Sequence, residues 1–286
     1  MKPRVLMMLA LSILFFSAFA QREPKGFALE NAFDITLQIS KFTSRKMRLV
    51  FDGKHPKLEV TVGNKKQVIQ LDPDMLTENS HYRRLFVDDF NFDSFLDIAI
   101  PELSQDDVNN YNALYIFDRL SKSFKFMPLP EGTNCQSETL NNPELEPASK
   151  TVFTSCRGGP SWYSEGFRFE HGKPYLRLSR EMAFLEGFAE KDNLLWRETT
   201  FDRNKRRIGI KFLDYETAKT PVRRIPKAKV FLYSTPQEEA ITSSYIIQND
   251  LIMILEVKES DSGQWLKIAY QSQKLGRIKR WIRLGT

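Results

Sequence analysis

Met47-Arg48-Leu49-Val50-Phe51-Asp52-Gly53 runs on through Leu58-Glu59-Val60-Thr61-Val62-Gly63-Asn64 to Val68-Ile69-Gln70-Leu71. Met47, Leu49 and Phe51 recur at every second position, and so do Leu58, Val60 and Val62. In an extended chain successive side chains point to opposite faces, so a period of two marks a strand with one buried face. Asp52-Gly53 and Gly63-Asn64 punctuate these runs, and such pairs between alternating segments are a strong hairpin signal. The stretch therefore predicts a β-meander.

The pattern continues outward. Residues 85–87 and 96–100 flank an acidic loop, and 114–117 and 124–127 flank Asp118-Arg119-Leu120-Ser121-Lys122. Residues 151–155 lead into Arg157-Gly158-Gly159-Pro160, and 167–169 and 175–178 flank His171-Gly172-Lys173. Residues 194–199 and 208–212 flank Asp202-Arg203-Asn204-Lys205. No sustained 3.6-residue period appears; a short helix is expected only within 103–112 or 181–190. The 22 phenylalanines suit strands. The prediction is an all-β antiparallel architecture, a sandwich, barrel or propeller. Residues 215–227, polar with Pro221, Pro226 and Arg223-Arg224, read as a linker. It would separate a domain at 24–222 from a smaller β module at 226–286.

The first residues bear on compartment. Lys2 and Arg4 precede the apolar run 5–19, and Ala18-Phe19-Ala20 is a small-x-small exit before Gln21. These three features predict a cleavable signal peptide at 1–20. An N-terminal membrane anchor is the alternative, but the run is shorter than the roughly 20 residues that span a bilayer. The expected location is periplasmic or secreted. The formal charge of +6 would fall to +4 with the loss of Lys2 and Arg4. A mild basic excess on an exported chain fits wall polymer, lipid head groups or an acidic protein better than nucleic acid. Cys135 and Cys156 are the two cysteines. In an oxidising compartment they predict one disulfide, with a redox pair or metal site as the alternative.

Residues 228–286 resemble a bacterial SH3-like domain. The resemblance rests on Val230-Phe231-Leu232-Tyr233-Ser234-Thr235-Pro236, Ile247-Gln248-Asn249-Asp250, Met253-Ile254-Leu255-Glu256, Gln264-Trp265-Leu266-Lys267-Ile268 and Arg280-Trp281-Ile282. Trp265 and Trp281 would fill the core of such a small barrel. The resemblance implies peptidoglycan binding; a structural or protein-contact module is the alternative.

Asp89-Phe90-Asn91-Phe92-Asp93-Ser94-Phe95-Leu96-Asp97 places side-chain oxygens at loop positions 1, 3, 5 and 9. Asp89, Asn91, Asp93, Asp97 and the Phe95 carbonyl could supply the oxygens a hard cation such as Ca²⁺ takes. Ile100 and Ser94 stand where an EF-hand needs Glu and Gly. The motif resembles the Ca²⁺ loops of FG-GAP-like propeller repeats, departing from them at Ser94. The alternative is an acidic turn whose carboxylates cap backbone N–H groups without metal.

A second resemblance covers residues 80–180. The acidic loop, Leu140-Asn141-Asn142-Pro143-Glu144-Leu145, and Ser155-Cys156-Arg157-Gly158-Gly159-Pro160-Ser161-Trp162-Tyr163 followed by Phe167-Arg168-Phe169-Glu170-His171-Gly172-Lys173-Pro174-Tyr175 together look like periplasmic β-propeller-like proteins. Some of these protect a producer by binding a lysozyme-like effector of a type IV or type VI secretion system. The resemblance implies an inhibitor or immunity role. Arg157, Gly158, Gly159, Trp162 and Tyr163 would be the partner-binding residues, since Trp, Tyr and Arg are the usual interface anchors. Alternatively Trp162 and Tyr163 pack beside Cys156. Catalysis is the rival class, but the three histidines, His55, His81 and His171, stand in no G-x-S-x-G, H-E-x-x-H or Cys-His pairing. The expectation is a binding protein, not an enzyme, with an envelope scaffold acting on peptidoglycan as the alternative function.

Overall fold

The computed structural model describes residues 21–29, 32–73, 84–102, 110–135, 138–261, 263–272 and 275–284. The predicted signal peptide, His81 and residues 103–109 lie outside them. The chain is all-β, with antiparallel sheets and almost no helix. It divides into two compact units. One holds the described residues up to Gly158 together with Ser164–Arg177; the other holds Gly159–Tyr163 and the described residues from Leu178 onward.

The first unit opens with β1 (Lys25–Ala28), followed by β2 (Phe33–Gln38), β3 (Lys46–Phe51), β4 (Lys57–Val62) and β5 (Lys65–Gln70). Strands β2 to β5 form a meander in sequence order, in which β3 to β5 are the predicted strands and β2 precedes them. Gly53 and Gly63 turn it at φ of +72° and +61°, where glycine carries no Cβ penalty. A second sheet contains β6 (Arg84–Asp88), β7 (Asp97–Pro101), β8 (Tyr111–Asp118), β9 (Ser123–Phe126) and β10 (Leu140–Asn141). Its order is β1-β6-β7-β8-β10, with β9 also on β8. Met47, Leu49, Leu58, Val60 and Val62 pack in one buried cluster with Leu85, Val87, Ile98, Phe117 and Phe124. Alternation in the meander thus turns its apolar face onto the second sheet, the arrangement that removes most apolar surface from water. Gln67 ties the two sheets at one edge: its Nε2 donates to the Phe124 carbonyl at 2.9 Å and its Oε1 accepts the Phe124 N–H at 2.8 Å.

A third sheet runs β11 (Glu144–Glu146), β12 (Thr151–Gly158), β13 (Ser161–Glu170), β14 (Lys173–Phe184), β15 (Leu194–Phe201) and β16 (Arg207–Asp214), in sequence order. The strand β14 continues to Phe184, and Glu190–Asp192 is a single 3₁₀ turn, so the helix expected within 181–190 is not formed. Phe184 pairs with Leu194 and Met182 with Trp196, which makes the segment an ordinary ladder.

The fourth sheet comprises β17 (Val222–Arg224), β18 (Lys229–Tyr233), β19 (Ile241–Ile247), β20 (Leu251–Ser260), β21 (Gly263–Ser272) and β22 (Gly276–Arg283), ordered β17-β20-β21-β22-β18-β19. Among the described residues this order is open and closes no barrel. The expected linker contributes β17, with Val222 opposite Met253. Arg223 bridges Asp214 at 2.8 Å, and Ile225 is buried. Pro and basic residues made this stretch look unpaired, but its apolar positions find partners far along the chain.

The core of the second unit is aliphatic. Ile252, Ile254, Leu266, Ile268 and Ile282 cluster with Leu185, Leu195 and Phe212. Trp265 and Trp281 are also buried, but on the opposite strand face. Trp265 meets Tyr233 edge-on at 4.9 Å, and Lys267 stands over the Trp281 ring. Because Leu185, Leu195 and Phe212 complete this core, residues 226–286 expressed alone are expected to show no cooperative urea transition. Leu195→Ala in the full chain is expected to cost about 2–5 kcal/mol, the range for a fully buried leucine. A sharp transition in the fragment would show that the fourth sheet holds a core of its own.

Candidate functional site

The acidic loop joins β6 to β7 and is built on its carboxylates. Asp97 begins β7 and is wholly buried. Its Oδ2 accepts the Phe90 N–H at 3.0 Å and the Asn91 N–H at 3.3 Å, and its Oδ1 accepts the Phe117 N–H at 2.9 Å. Asp89 accepts the N–H groups of Asp93 and Ser94 at 2.9 and 2.8 Å. Asn91 accepts from Asp93 at 3.0 Å, and Asp93 accepts from Phe95 at 2.9 Å. A loop of nine residues has few backbone partners of its own, and buried N–H groups without acceptors are costly. Here the side chains supply the acceptors. Phe92 and Ser94 sit at φ of +58° and +75°. Ser94 thus occupies the left-handed position where the FG-GAP-like pattern carries glycine; the turn is kept and the strain tolerated.

Burial pushes the Asp97 carboxyl well above the ordinary carboxylate range, against the Phe117 and Asn91 hydrogen bonds and with the charges of Asp93 and Asp89 adding to it. Asp89 is raised for the same first reason, burial, with its amide partners opposing. Ahead of the loop, Asp88 caps the Asp89 N–H at 2.8 Å and takes a two-pronged ion pair from Arg22. Arg22 itself exchanges backbone hydrogen bonds with Leu145 at 2.9 and 2.8 Å. Among the described residues, no three His, Cys, Asp or Glu side chains are disposed to hold a metal ion. Asp89, Asn91, Asp93 and Asp97 each accept at least one main-chain N–H group.

The second candidate is the turn between β12 and β13. Cys156 on β12 is joined to Cys135, with Cα atoms 5.7 Å apart. The bridge spans 21 residues, and such a loop constrains the unfolded chain by about 3 kcal/mol on the chain-entropy account. Arg157, Gly158, Gly159 and Pro160 are exposed, whereas Trp162 and Tyr163 are half-buried. Gly159 turns at φ of +61° with open space around it. The unit boundary falls within this turn, after Gly158. The sequence-predicted binding residues therefore belong to two units, with Arg157 and Gly158 in the first and Gly159, Trp162 and Tyr163 in the second.

Glu165 was not singled out in the sequence, yet it braces the approach to Cys135. It is wholly buried, and its Oε1 receives the Thr133 hydroxyl at 2.8 Å and the Asn134 N–H at 2.9 Å, together with the Thr133 N–H. A Cβ on Gly132 would lie 1.8 Å from its Oε2, so only glycine fits there. The 32 residues between Thr133 and Glu165 hide this pair from any local pattern. In the second unit, a groove of about 610 Å³ is lined by Phe184, Ile210, Phe212, Leu255 and Val257, residues that no sequence motif connects. Of the three histidines, His55 pairs with Asp52 at 2.7 Å and His171 sits in the hairpin turn at φ of +49°.

No family model matches the chain, and no curated protein matches it. Among solved structures, it is similar to one described as a Xanthomonas type IV secretion system related protein. The two share 11% identity at a TM-score of 0.40, over 66% of this chain and 99% of the other. At that level the likeness assigns no role to the chain.

The hydrogen bonds of the acidic loop make two substitutions diverge. Asp97→Asn puts an N–H₂ where main-chain N–H groups need an acceptor, and is expected to cost about 1–3 kcal/mol in urea unfolding. Ser94→Gly relieves a left-handed residue and is expected to stabilise by up to about 1 kcal/mol. The pH dependence follows from the raised carboxyls of Asp97 and Asp89. A folded-state pKa above the unfolded one gives stability that is full below the unfolded value, near pH 4, and is lost as pH climbs through the folded value. Asp97→Asn should flatten that decline; a decline of unchanged slope would exclude Asp97 as its source.

Proposed function

We propose that the chain is an exported, non-enzymatic binding protein that acts as an inhibitor or immunity protein by blocking a cell-wall-degrading effector. The observation that carries the reading is the exposed turn of residues 157–160, set one residue beyond a disulfide on a β-hairpin. A backbone fixed before binding loses little entropy on docking, which favours recognition by such a turn. Arg157 and the partly accessible Trp162 and Tyr163 are of the residue types that anchor protein interfaces. A lysozyme-like partner is supported by the sequence resemblance of residues 80–180 alone. The signal-peptide pattern and the disulfide support export.

A second reading keeps peptidoglycan as the ligand, through an SH3-like C-terminal module. It is favoured by one face of the fourth sheet, where the partly exposed Tyr233 and Lys267 stand against the buried Trp265 and Trp281. Ca²⁺ at Asp89, Asn91, Asp93, Asp97 and the Phe95 carbonyl rests on the sequence spacing. Calorimetric titration of the full chain decides it: binding heat that Asp93→Asn removes would establish the ion, and no heat at millimolar Ca²⁺ would remove it.

Affinity purification of the protein from its native cells is expected to recover a secreted wall hydrolase and to abolish that hydrolase's activity at equimolar ratio. Trp162→Ala with Tyr163→Ala is expected to weaken capture at least tenfold, as loss of one interface anchor does. Retention on purified sacculi without any protein partner would replace the inhibitor reading with the peptidoglycan one.

A further inference from the structure

The fourth sheet leaves part of one strand without a neighbour. β20 pairs with β21 along its length, but β17 covers only Leu251–Met253 on its other side. The last contact on that side runs from the Ile254 N–H to the Pro221 carbonyl at 2.9 Å. Pro221 has no N–H to return. The chain before it bends away into β16, where the Asp214 N–H meets the Lys219 carbonyl at 2.8 Å. From Leu255 to Glu259 the outer edge of β20 is therefore open among the described residues. Main-chain groups alternate sides along an antiparallel strand. Ser260 opposes Gly263 across a tight turn, so its groups face β21 and those of Glu259 and Val257 face away. Counted from the other end, Ile254 faces outward, and the bulge between Ile254 and Glu256 shifts the phase by one residue, with the same result. Val257 and Glu259 thus present N–H and C=O groups that no other described residue meets.

The groove of about 610 Å³ runs along this edge. Residues 255–259 line it together with Phe184, Arg197, Ile210 and Phe212 of the third sheet, all within the second unit. Phe184 and Ile210 are 56% and 42% exposed there. Main-chain donors and acceptors along one wall and apolar side chains along the other suit an extended chain, which pairs its backbone with the edge and turns alternate side chains inward. A helix satisfies its own N–H and C=O groups and a lipid tail has none, so either would leave those of β20 unmet. Charge marks the outer face. Val257 packs against the core, so Glu256 and Lys258 point the other way, opposite Lys267 and Trp265. Glu256 is bridged to Lys267 at 3.3 Å, whereas the exposed Lys258 makes no ion pair among the described residues. Opposite charges directly across a strand pair are favourable, so Lys258 favours an acidic residue on an incoming strand.

We propose that the open edge of β20 takes up an extended peptide segment of a protein partner as an added antiparallel strand, with apolar side chains toward the groove and an acidic one opposite Lys258. Such docking is independent of the partner turn at 157–163.

The test is fluorescence anisotropy of the full chain with an end-capped, labelled peptide, Ser-Val-Glu-Val-Thr-Val-Ser, whose antiparallel register sets its glutamate opposite Lys258. The expected result is saturable binding with Kd below about 100 μM. N-methylation of the first two valines removes the N–H groups that would face Glu259 and Val257, and is expected to weaken binding at least about tenfold. Lys258→Glu, an exposed substitution, is expected to weaken binding of this peptide about fivefold and to favour by about as much a peptide carrying lysine in place of the glutamate. Absence of saturable binding by the unaltered chain would overturn the proposal. So would equal binding of the methylated peptide, which would mark apolar adsorption alone, or a preference between the two peptides that Lys258→Glu leaves unchanged. A concentration-dependent dimer in sedimentation velocity that excludes the peptide would assign the edge to a second copy of the chain and overturn it as well.

Discussion

The bridge between Cys135 and Cys156 ties the stretch after β9 to strand β12, and the exposed turn of residues 157–160 begins one residue beyond it. Both cysteines are buried, so the bridge is part of the packing and not a surface staple. Glu165 holds Thr133 and Asn134 immediately before Cys135, and Gly132 leaves the space that its carboxylate fills. Sulfur bridge and buried carboxylate thus hold the segment before Cys135 and the strand before Arg157. That strand is fixed by covalent bond as well as by its ladder, and a surface presented from it is ordered before any partner arrives.

The acidic loop shows the same economy by other means. Main-chain N–H groups are held by the carboxylates of this loop. Asp97 does the most, joining the loop at Phe90 and Asn91 to strand β8 at Phe117 from a fully buried position. The cost appears as a carboxyl whose ionisation is opposed by burial and by Asp93 and Asp89. A network of this kind is favourable only while every member is satisfied. The chain therefore carries two differently braced loops, one on sulfur and one on carboxylates.

Much of this was legible along the sequence. The alternation of Met47, Leu49 and Phe51 and of Leu58, Val60 and Val62 is the burial pattern of β3 and β4, because a period of two has one structural meaning. The left-handed turn at Ser94 was not legible, since serine in place of glycine argued against a sharp turn there. The other illegible parts are those decided by distant pairing. Val222–Arg224 resembles a linker until Leu251–Met253 supplies a ladder. Leu185, Leu195 and Phe212 join the C-terminal core across a boundary that local composition placed later in the chain. Glu165 and Gly132 become a pair only in space.

A recognition surface stiffened by a disulfide presupposes an oxidising compartment and, on the sequence pattern, removal of residues 1–20. Intact-mass spectrometry of the protein recovered from its own cells measures both at once. The account predicts a polypeptide that begins at Gln21 and lacks the two hydrogens lost in forming Cys135–Cys156. A chain that retains residues 1–20 and carries two free thiols would contradict it.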